Sequence, residues 1–218
     1  MILPLIKIAR WTKFLTCGFS ILVLAACSLP KSPPVAPTSW MVAPERTGQA
    51  YQPRTDLWLK MGPVSIAPPF GGKSLVYRLG DERYESDFYN VYSVLPNEIV
   101  GNATRKWMNN ANIFAMTVGQ SNNLFPYYSL QATVEEFYGD YRVRPEAVVS
   151  VQFFLTVSGP TKGNPIIGVN RYSKRITLKD NTPQALVLGQ QEALAQILKE
   201  YEQSLYQYAG NLPKPLGR

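Results

Sequence analysis

Two stretches in the second half of the chain alternate between apolar and polar residues, as β-strands with one buried face do. Between residues 127 and 138, the even positions from Tyr128 to Val134 are apolar and the odd positions are polar. Between residues 147 and 157, the odd positions from Val149 onward are apolar. The two patterns predict long, half-buried strands that form the middle of a sheet.

Shorter apolar runs, separated by turn-forming residues, predict four further strands. Pro68-Pro69 and Gly71-Gly72 close the first of these runs, and Gly80-Asp81 closes the second. The alternation of the last run breaks near Asn170, which predicts a β-bulge there. The four predicted strands are residues 57–67, 74–79, 112–118 and 166–178.

Two segments carry apolar residues at the three- and four-residue spacing of an amphipathic helix. The first covers residues 87–110, with Pro96 suited to an early helical position and Trp107 expected in the core. The second starts at Thr182-Pro183, a cap followed by proline at the first helical position, and ends at Gly210. Its apolar stripe includes Val187, Leu194, Leu198, Tyr201, Leu205 and Tyr208.

These elements follow one another in the order ββαββββα, which predicts a single α+β domain covering residues 57–210. Tight turns between long neighbouring strands favour an antiparallel or mixed sheet, here of about five to six strands. The two helices are expected to pack on one side of it. Residues 211–218 follow the last helix and contain two prolines, which predicts a loose tail.

The first 26 residues have the composition of a secretion signal. Lys7, Arg10 and Lys13 precede an uncharged apolar run over residues 14–26. That run is shorter than the ~20 residues that a helix needs to cross a bilayer. A retained transmembrane anchor is therefore the weaker of the two interpretations.

The apolar run ends in Leu24-Ala25-Ala26-Cys27, which resembles the lipobox of bacterial lipoproteins. The resemblance implies cleavage between Ala26 and Cys27 and transfer of a diacylglycerol to the thiol of Cys27, followed by acylation of the new amine. Ser28 after the cysteine implies, by the same resemblance, sorting to the outer membrane rather than retention in the inner membrane. An ordinary signal peptide with a chance cysteine is the alternative.

Six prolines lie between Ser28 and Asp56. Proline fixes φ and lacks a backbone donor, so this composition favours extended chain over packed structure. We therefore expect residues 27–56 to be a lipidated N-terminus and tether. Trp40 and Met41 are the residues of this segment suited to pack on the domain or on a partner.

Charge and residue content exclude several kinds of chemistry. The formal net charge is +7, and removal of the three basic residues before Cys27 leaves an ordinary +4 without a basic run, so we expect no nucleic-acid partner. The chain has no histidine, which excludes Ser-His-Asp catalysis and imidazole-bound zinc. It also lacks a phosphate-binding G-x-x-x-x-G-K-[ST] loop. We expect no enzymatic activity, no metal and no cofactor.

Aromatic residues provide the candidates for a binding surface, because interfaces are enriched in them. The sequence holds thirteen tyrosines and nine phenylalanines. Aromatic side chains are equally common in sheet cores, so a core position is the competing interpretation. The candidates are Phe125, Tyr127, Tyr128, Tyr138 and Tyr141.

Two motifs at the start of the predicted domain are similar to those of the ABC-type transport auxiliary lipoproteins, the PqiC-like group. Residues 59–68 read LKMGPVSIAP and residues 75–80 read LVYRLG, against the group's L-x-x-G-P-V-x-V-x-P and I-V-Y-R-x-G. The next segment, residues 90–96, lacks the tryptophan that is frequent there in the group. The resemblance covers residues 57–208.

The resemblance implies an accessory role in lipid transport across the envelope. It implies partners comprising an MCE-domain protein, an ABC permease and an ATPase, with the chain attached to the outer membrane at its periplasmic face. It also implies self-association into a ring. The alternative is an assembly or structural lipoprotein that serves another outer-membrane machine.

Overall fold

Eight strands and two helices make up the part of the chain that the computed structural model describes, residues 35–158 and 165–215. The predicted signal peptide and Cys27 lie outside the described residues. A 3-10 turn at Pro68–Phe70 follows the second strand. In chain order the elements are β1 (Thr38–Trp40), β2 (Thr55–Ile66), β3 (Ser74–Arg78), β4 (Tyr84–Tyr92), α1 (Pro96–Ala111), β5 (Phe114–Val118), β6 (Tyr128–Asp140), β7 (Glu146–Val157), β8 (Ile166–Thr177) and α2 (Pro183–Ala209).

The strands form one mixed sheet that forks at β6. One edge of β6 pairs antiparallel with β7 along its whole length, and β7 pairs antiparallel with β8. The other edge is shared between two parallel strands. The first half of β6 pairs with β2, which carries β5, whereas its last residues pair with β3, which carries β4 and β1.

The face predicted from the alternation of β6 and β7 is the core. Leu130, Val134, Val151 and Phe153 are fully buried there. Helix α2 lies on this face, and the ring of Tyr201 stacks on Phe153 with centroids 4.3 Å apart. Helix α1 packs beside it on β2 and β5 and buries Trp107, as predicted. The α+β class with two helices and a mixed sheet is thus confirmed.

A glycine allows α2 to approach the sheet closely. A Cβ on Gly189 would lie 2.9 Å from the Cβ of Ala147 in β7 and 2.4 Å from Leu178. Both distances are shorter than real Cβ contacts. The start of the helix follows the predicted cap, because Thr182 Oγ1 accepts a hydrogen bond from the Ala185 backbone N–H at 3.2 Å.

Three predictions about the regular elements need correction. The described sheet has eight strands rather than five or six, because β1 and β4 were not predicted. The segment from Asp87 to Tyr92, predicted as the start of a helix, belongs to β4, and α1 begins only at Pro96. The irregularity in the β7–β8 pairing lies between Leu155 and Thr156 and not opposite Asn170.

Residues 37–56, the second half of the predicted tether, are packed on the domain, and we call them the strap. Thr38–Trp40 pairs in parallel with the end of β4, and Val42 is buried. The backbone N–H of Tyr51 donates to Ala111 O at 2.9 Å. Because of these contacts, the prediction of a free tether was wrong for residues 37–56. The prolines of the strap fit an extended chain that runs across other elements.

A buried ion pair fixes the strap to α2. The guanidinium of Arg46 donates through Nε and Nη2 to both carboxylate oxygens of Glu202, at 2.8 and 2.9 Å. The side chains are only 5% and 6% exposed. Trp107 Nε1 of α1 donates to the same carboxylate at 2.6 Å. The hydrogen bond to Glu202 raises the pKa of Arg46 above its ordinary value.

Within the described ranges, neither helix is long and apolar enough to cross a membrane.

Candidate binding surface

A groove lined by exposed aromatic residues lies where β2 and β6 begin, and we call it the aromatic groove. Its volume is about 710 Å³. Trp58 is 39% exposed and Phe125 is 89% exposed. The lining residues are Asp56, Leu57, Trp58, Leu124, Phe125, Pro126, Tyr127, Ser158 and Pro215. Large apolar side chains grouped in this way on a surface mark interaction sites.

The period of the strands explains why Trp58 faces solvent. Successive side chains of a strand point to opposite faces, so the burial of Leu59 in the core turns Trp58 toward the face without α1 and α2. Its neighbour across the ladder is Met116 of β5, which is also exposed. The pair extends the apolar surface of the groove onto the edge of the sheet.

Lys60 holds the loop that carries Phe125. Its Nζ donates to the backbone carbonyls of Asn122 and Leu124, at 3.0 and 3.1 Å, and lies 5.1 Å from the centre of the Phe125 ring. The side chain of Asn122 accepts a hydrogen bond from the Leu124 N–H at 2.8 Å. The loop therefore presents Phe125 from a defined backbone rather than from a free chain.

The structure separates the five predicted aromatic candidates. Phe125 and Tyr127 line the groove. The prediction was wrong for Tyr128 and Tyr138, because both lie in the core and are 1% exposed. Tyr141 is half-buried against Tyr77, and burial raises its pKa to about 12.

Comparison with known proteins places the fold. No family model and no curated protein matches the sequence. Among solved structures, protein XCC0632 from Xanthomonas campestris, of the DUF330 family, has a TM-score of 0.68 at 14% identity, covering 80% of this chain and 97% of that one. The chain has the DUF330 fold. An uncharacterized protein matches at a TM-score of 0.60 and 15% identity, over 78% of this chain and 99% of its own.

DUF330 is the PqiC-like family, so the resemblance drawn from residues 59–68 and 75–80 agrees with the structural neighbours at the level of fold. Both motifs lie where the fork of the sheet is built. The first coincides with the end of β2, where the β2–β6 register shifts between Met61 and Val64. There a Cβ on Gly62 would meet the side chains of Ser129 and Gln131 at 3.0 Å.

A second surface feature of the DUF330 fold in this chain is a charged cluster at the far end of β6. Asp140 Oδ2 accepts from Arg175 at 2.6 Å and from Arg142 at 2.9 Å. Arg142 also pairs with Asp81 at 2.9 Å, and Arg175 pairs with Glu146 at 2.8 Å. The cluster borders a depression of about 560 Å³.

The cluster is balanced in charge, since Arg142, Arg144 and Arg175 face Asp81, Asp140 and Glu146. Its hydrogen bonds join the end of β6 to β8, to the start of β7 and to the turn before β4. We interpret it as a structural clamp. Within the described ranges, the acidic residues include no group of three or more that is placed to hold a metal ion.

Asp140→Asn should reduce the free energy of unfolding at neutral pH by about 2 kcal/mol, since hydrogen bonds to charged groups contribute ~1.5–3 kcal/mol. The hydrogen bond from Arg142, together with that from Arg175, lowers the pKa of Asp140 below its ordinary value of 3.8. A carboxylate with a lowered folded-state pKa stabilises the fold fully above its ordinary pKa and loses that contribution as the pH falls from there through the folded-state pKa. Urea unfolding should be measured from pH 7 downward. The free energies of unfolding of the wild-type protein and of Asp140→Asn should converge below about pH 4.

Asp81→Asn is the matched control, because the side chain of Asp81 is 87% exposed at the outer end of the same cluster. It should cost about 1 kcal/mol or less. Equal losses for the two variants, or a difference that persists unchanged into acid, would remove the clamp interpretation.

Proposed function

We propose that this chain is a lipid-anchored accessory subunit of an intermembrane lipid transport system. In this proposal Cys27 carries the acyl chains, and the domain stands at the periplasmic face of the outer membrane. Its partners are an MCE-domain protein and, through it, an ABC permease and ATPase. The lipobox-like segment, the two motifs and the DUF330 fold support this assignment.

The proposed mode of action, docking of a partner protein, rests on the aromatic groove. Trp58, Leu124 and Phe125 form an exposed apolar surface, and Lys60 fixes the loop that presents it. Such a surface suits the docking of an apolar segment of a protein, since tryptophan and tyrosine anchors dominate binding energies at interfaces. The chain thus acts by holding and aligning the end of its MCE partner.

The double variant Trp58→Ser, Phe125→Ser should bind the MCE-type protein at least about tenfold more weakly. Loss of two aromatic anchors of ~1 kcal/mol or more each exceeds the 1.4 kcal/mol that corresponds to a factor of ten. The measurement is recovery of the MCE-type protein from envelopes in mild detergent, followed by titration of the purified pair.

Tyr208→Ser is the control, because Tyr208 is an exposed aromatic residue at the end of α2 that does not line the groove. Lys60→Met adds a second variant that leaves both aromatic rings in place but removes the bonds to the loop. It should weaken binding less than the double variant. Unchanged binding by the double variant would exclude the groove as the docking site.

The assignment to lipid transport can be tested separately, because proteins recovered with the chain from envelopes identify the assembly to which it belongs. Recovery of an MCE-type protein with its permease and ATPase supports the proposal. Recovery of another outer-membrane assembly instead would favour the alternative role as an assembly or structural lipoprotein. Light scattering of the purified chain, alone and with the MCE-type protein, tests the self-association that the family resemblance implies.

A further inference from the structure

A second pair of exposed aromatic residues lies on β4, at the other branch of the forked sheet. Phe88 is 79% exposed and Tyr89 is 55% exposed, and their rings contact edge to face with centroids 5.2 Å apart. We call this pair the aromatic knob. Two adjacent aromatic side chains that protrude from a strand bury little area in the fold itself.

The knob is held by a network of hydrogen bonds around Asp87. Asp87 Oδ1 accepts from the backbone N–H groups of Tyr89 and Asn90, at 2.8 and 2.9 Å. Its Oδ2 accepts from Tyr77 Oη at 2.7 Å and from Asn90 Nδ2 at 3.0 Å. A carboxylate with four donors fixes the backbone that carries the two rings.

The same segment interrupts the β3–β4 ladder. Ser74 pairs with Val91 and Val76 pairs with Ser86, so that residues 87–90 of β4 stand opposite the single residue Leu75. Insertions of this kind leave backbone groups outside the ladder and serve to redirect side chains. Residues 87–90 have no partner on β3, and the side chains of Phe88 and Tyr89 in this bulge project into solvent.

The strap enters the domain next to the knob. Thr38 pairs with Asn90, and Trp40 Nε1 donates to Asn90 Oδ1 at 2.9 Å. Cys27 precedes Thr38 by 11 residues in the sequence. At ~3.3–3.6 Å per residue, even a fully extended chain of that length keeps Thr38 within about 40 Å of an acylated Cys27.

We propose that the aromatic knob contacts the interfacial layer of the phospholipid bilayer that holds the anchor, and so sets which side of the domain faces that membrane. The inference rests on the proposed acylation of Cys27. Tyrosine, an aromatic ring with one polar end, favours the boundary between headgroups and acyl chains, and Phe88 adds an apolar ring beside Tyr89. The tether keeps the knob at high local concentration near the bilayer, so a weak contact is sufficient.

The charges beside the knob are compatible with a zwitterionic surface. Arg83 and Glu85, the exposed charged residues at the start of β4, form an ion pair with each other. The carboxylate of Asp87 is occupied by its four donors. The charges at residues 83, 85 and 87 are thus each paired or hydrogen-bonded within the domain.

The test uses the mature chain purified from cell envelopes in detergent and reconstituted in phosphatidylcholine vesicles, some prepared with brominated acyl chains that quench fluorescence. The sequence has two cysteines, of which Cys17 is lost with the predicted signal peptide and Cys27 is acylated. An environment-sensitive dye therefore labels a single introduced thiol, in Ser86→Cys next to the knob or in Tyr208→Cys near the end of α2. Position 208 serves as the distant reference. Gln190 of α2 contacts Tyr92 of β4, and the helix rises ~27 Å from Gln190 to Tyr208.

We expect the dye at position 86 to shift to shorter wavelength on reconstitution and to be quenched by the brominated lipids, whereas the dye at position 208 is not. Adding Phe88→Ser and Tyr89→Ser to the Ser86→Cys chain should abolish both effects. Thermal unfolding of that variant should match the parent, since both rings are exposed. Equal signals at positions 86 and 208, or quenching that survives loss of the rings, would overturn the proposal.

Flotation of the same vesicles separates this inference from the proposed anchor. A chain that fails to float contradicts the acylation of Cys27 and the envelope role together. A chain that floats without quenching at position 86 contradicts only the knob's contact with the bilayer. If light scattering shows that Phe88→Ser and Tyr89→Ser reduce the molecular mass in detergent, the knob binds a second copy of the chain, and the membrane proposal is wrong.

Discussion

Glu202→Ala is expected to destabilise the domain by about 3–5 kcal/mol, the usual cost of removing one partner from a buried ion pair. The substitution leaves the guanidinium of Arg46, whose side chain is 5% exposed, without its carboxylate. It also leaves Trp107 Nε1 without the acceptor that it has at 2.6 Å. Urea unfolding monitored by circular dichroism measures the loss.

The same substitution should loosen the strap before it unfolds the sheet, because the ion pair of Arg46 is one of the links between the strap and α2. The stacked rings of Tyr51 and Tyr206 are another. Limited proteolysis should then cut within residues 37–56 faster than in the wild-type protein. Arg46→Met combined with Glu202→Leu should recover much of the stability, since apolar replacement of a buried pair is often neutral or stabilising. No recovery in that double variant would point to the hydrogen bond of Trp107 as the larger contribution.

Glu200→Ala is the control, on the same helix and with the same chemistry. Glu200 is 43% exposed on its side chain and pairs with Lys174 of β8. An exposed pair of this kind contributes about 0–1 kcal/mol. A loss for Glu202→Ala no larger than that for Glu200→Ala would mean that the buried pair does not stabilise the fold.

Phe153→Ala is expected to cost about 3–5 kcal/mol, the range for deleting a buried aromatic ring. Phe153 is fully buried in the middle of β7, where its ring stacks on Tyr201 of α2 at an interplanar angle of 10°. The cavity left behind would lie between the sheet and α2, where the two layers are joined. The midpoint of urea unfolding measures this loss.

The neighbouring Phe154 provides the control, because consecutive residues of a strand face opposite sides of the sheet. Phe154 lies on the face opposite α2 and is only partly buried. Phe154→Ala should therefore cost less than half as much as Phe153→Ala. Similar costs for the two variants would contradict the assignment of the core to the face that packs on α2.

Regular elements of this fold could be predicted from sequence where one face is buried along the whole element. The alternation in β6 and β7 and the apolar stripe of α2 placed these elements within a few residues. The alternation of β4 is broken by the bulge at residues 87–90, and this made the segment resemble the start of a helix. Its structure depends on Asp87, whose hydrogen bonds a periodicity argument does not consider.

The strap could not be predicted, because its contacts join residues that are far apart in the sequence. Arg46 and Glu202 are 156 positions apart, and nothing local to either residue marks the other as its partner. The prolines of residues 28–56 correctly indicate extended chain, but they do not distinguish an extended chain in solvent from one packed on helices. Long-range pairing decides that distinction.

The binding surface could be predicted only in part for a related reason. Aromatic composition drew attention to Phe125 and Tyr127, yet it treated Tyr128 and Tyr138 in the same way. The alternation of β6 already placed Tyr128 on the buried face, so the periodicity was the better guide. Trp58 and Met116 were missed because their contact is across the β2–β5 ladder, and the pairing of those strands is a property of the fold.

The placement of the strap determines how mechanical load would enter this domain. A pull on the N-terminal chain reaches the sheet through three ladder pairs between β1 and the end of β4, and then α2 through Arg46. The β6–β7 pairing, twelve residue pairs long, lies outside that route. Tension on the N-terminal chain would therefore detach the strap while the central strands stay folded. The strap would in this way protect the sheet from unfolding under load.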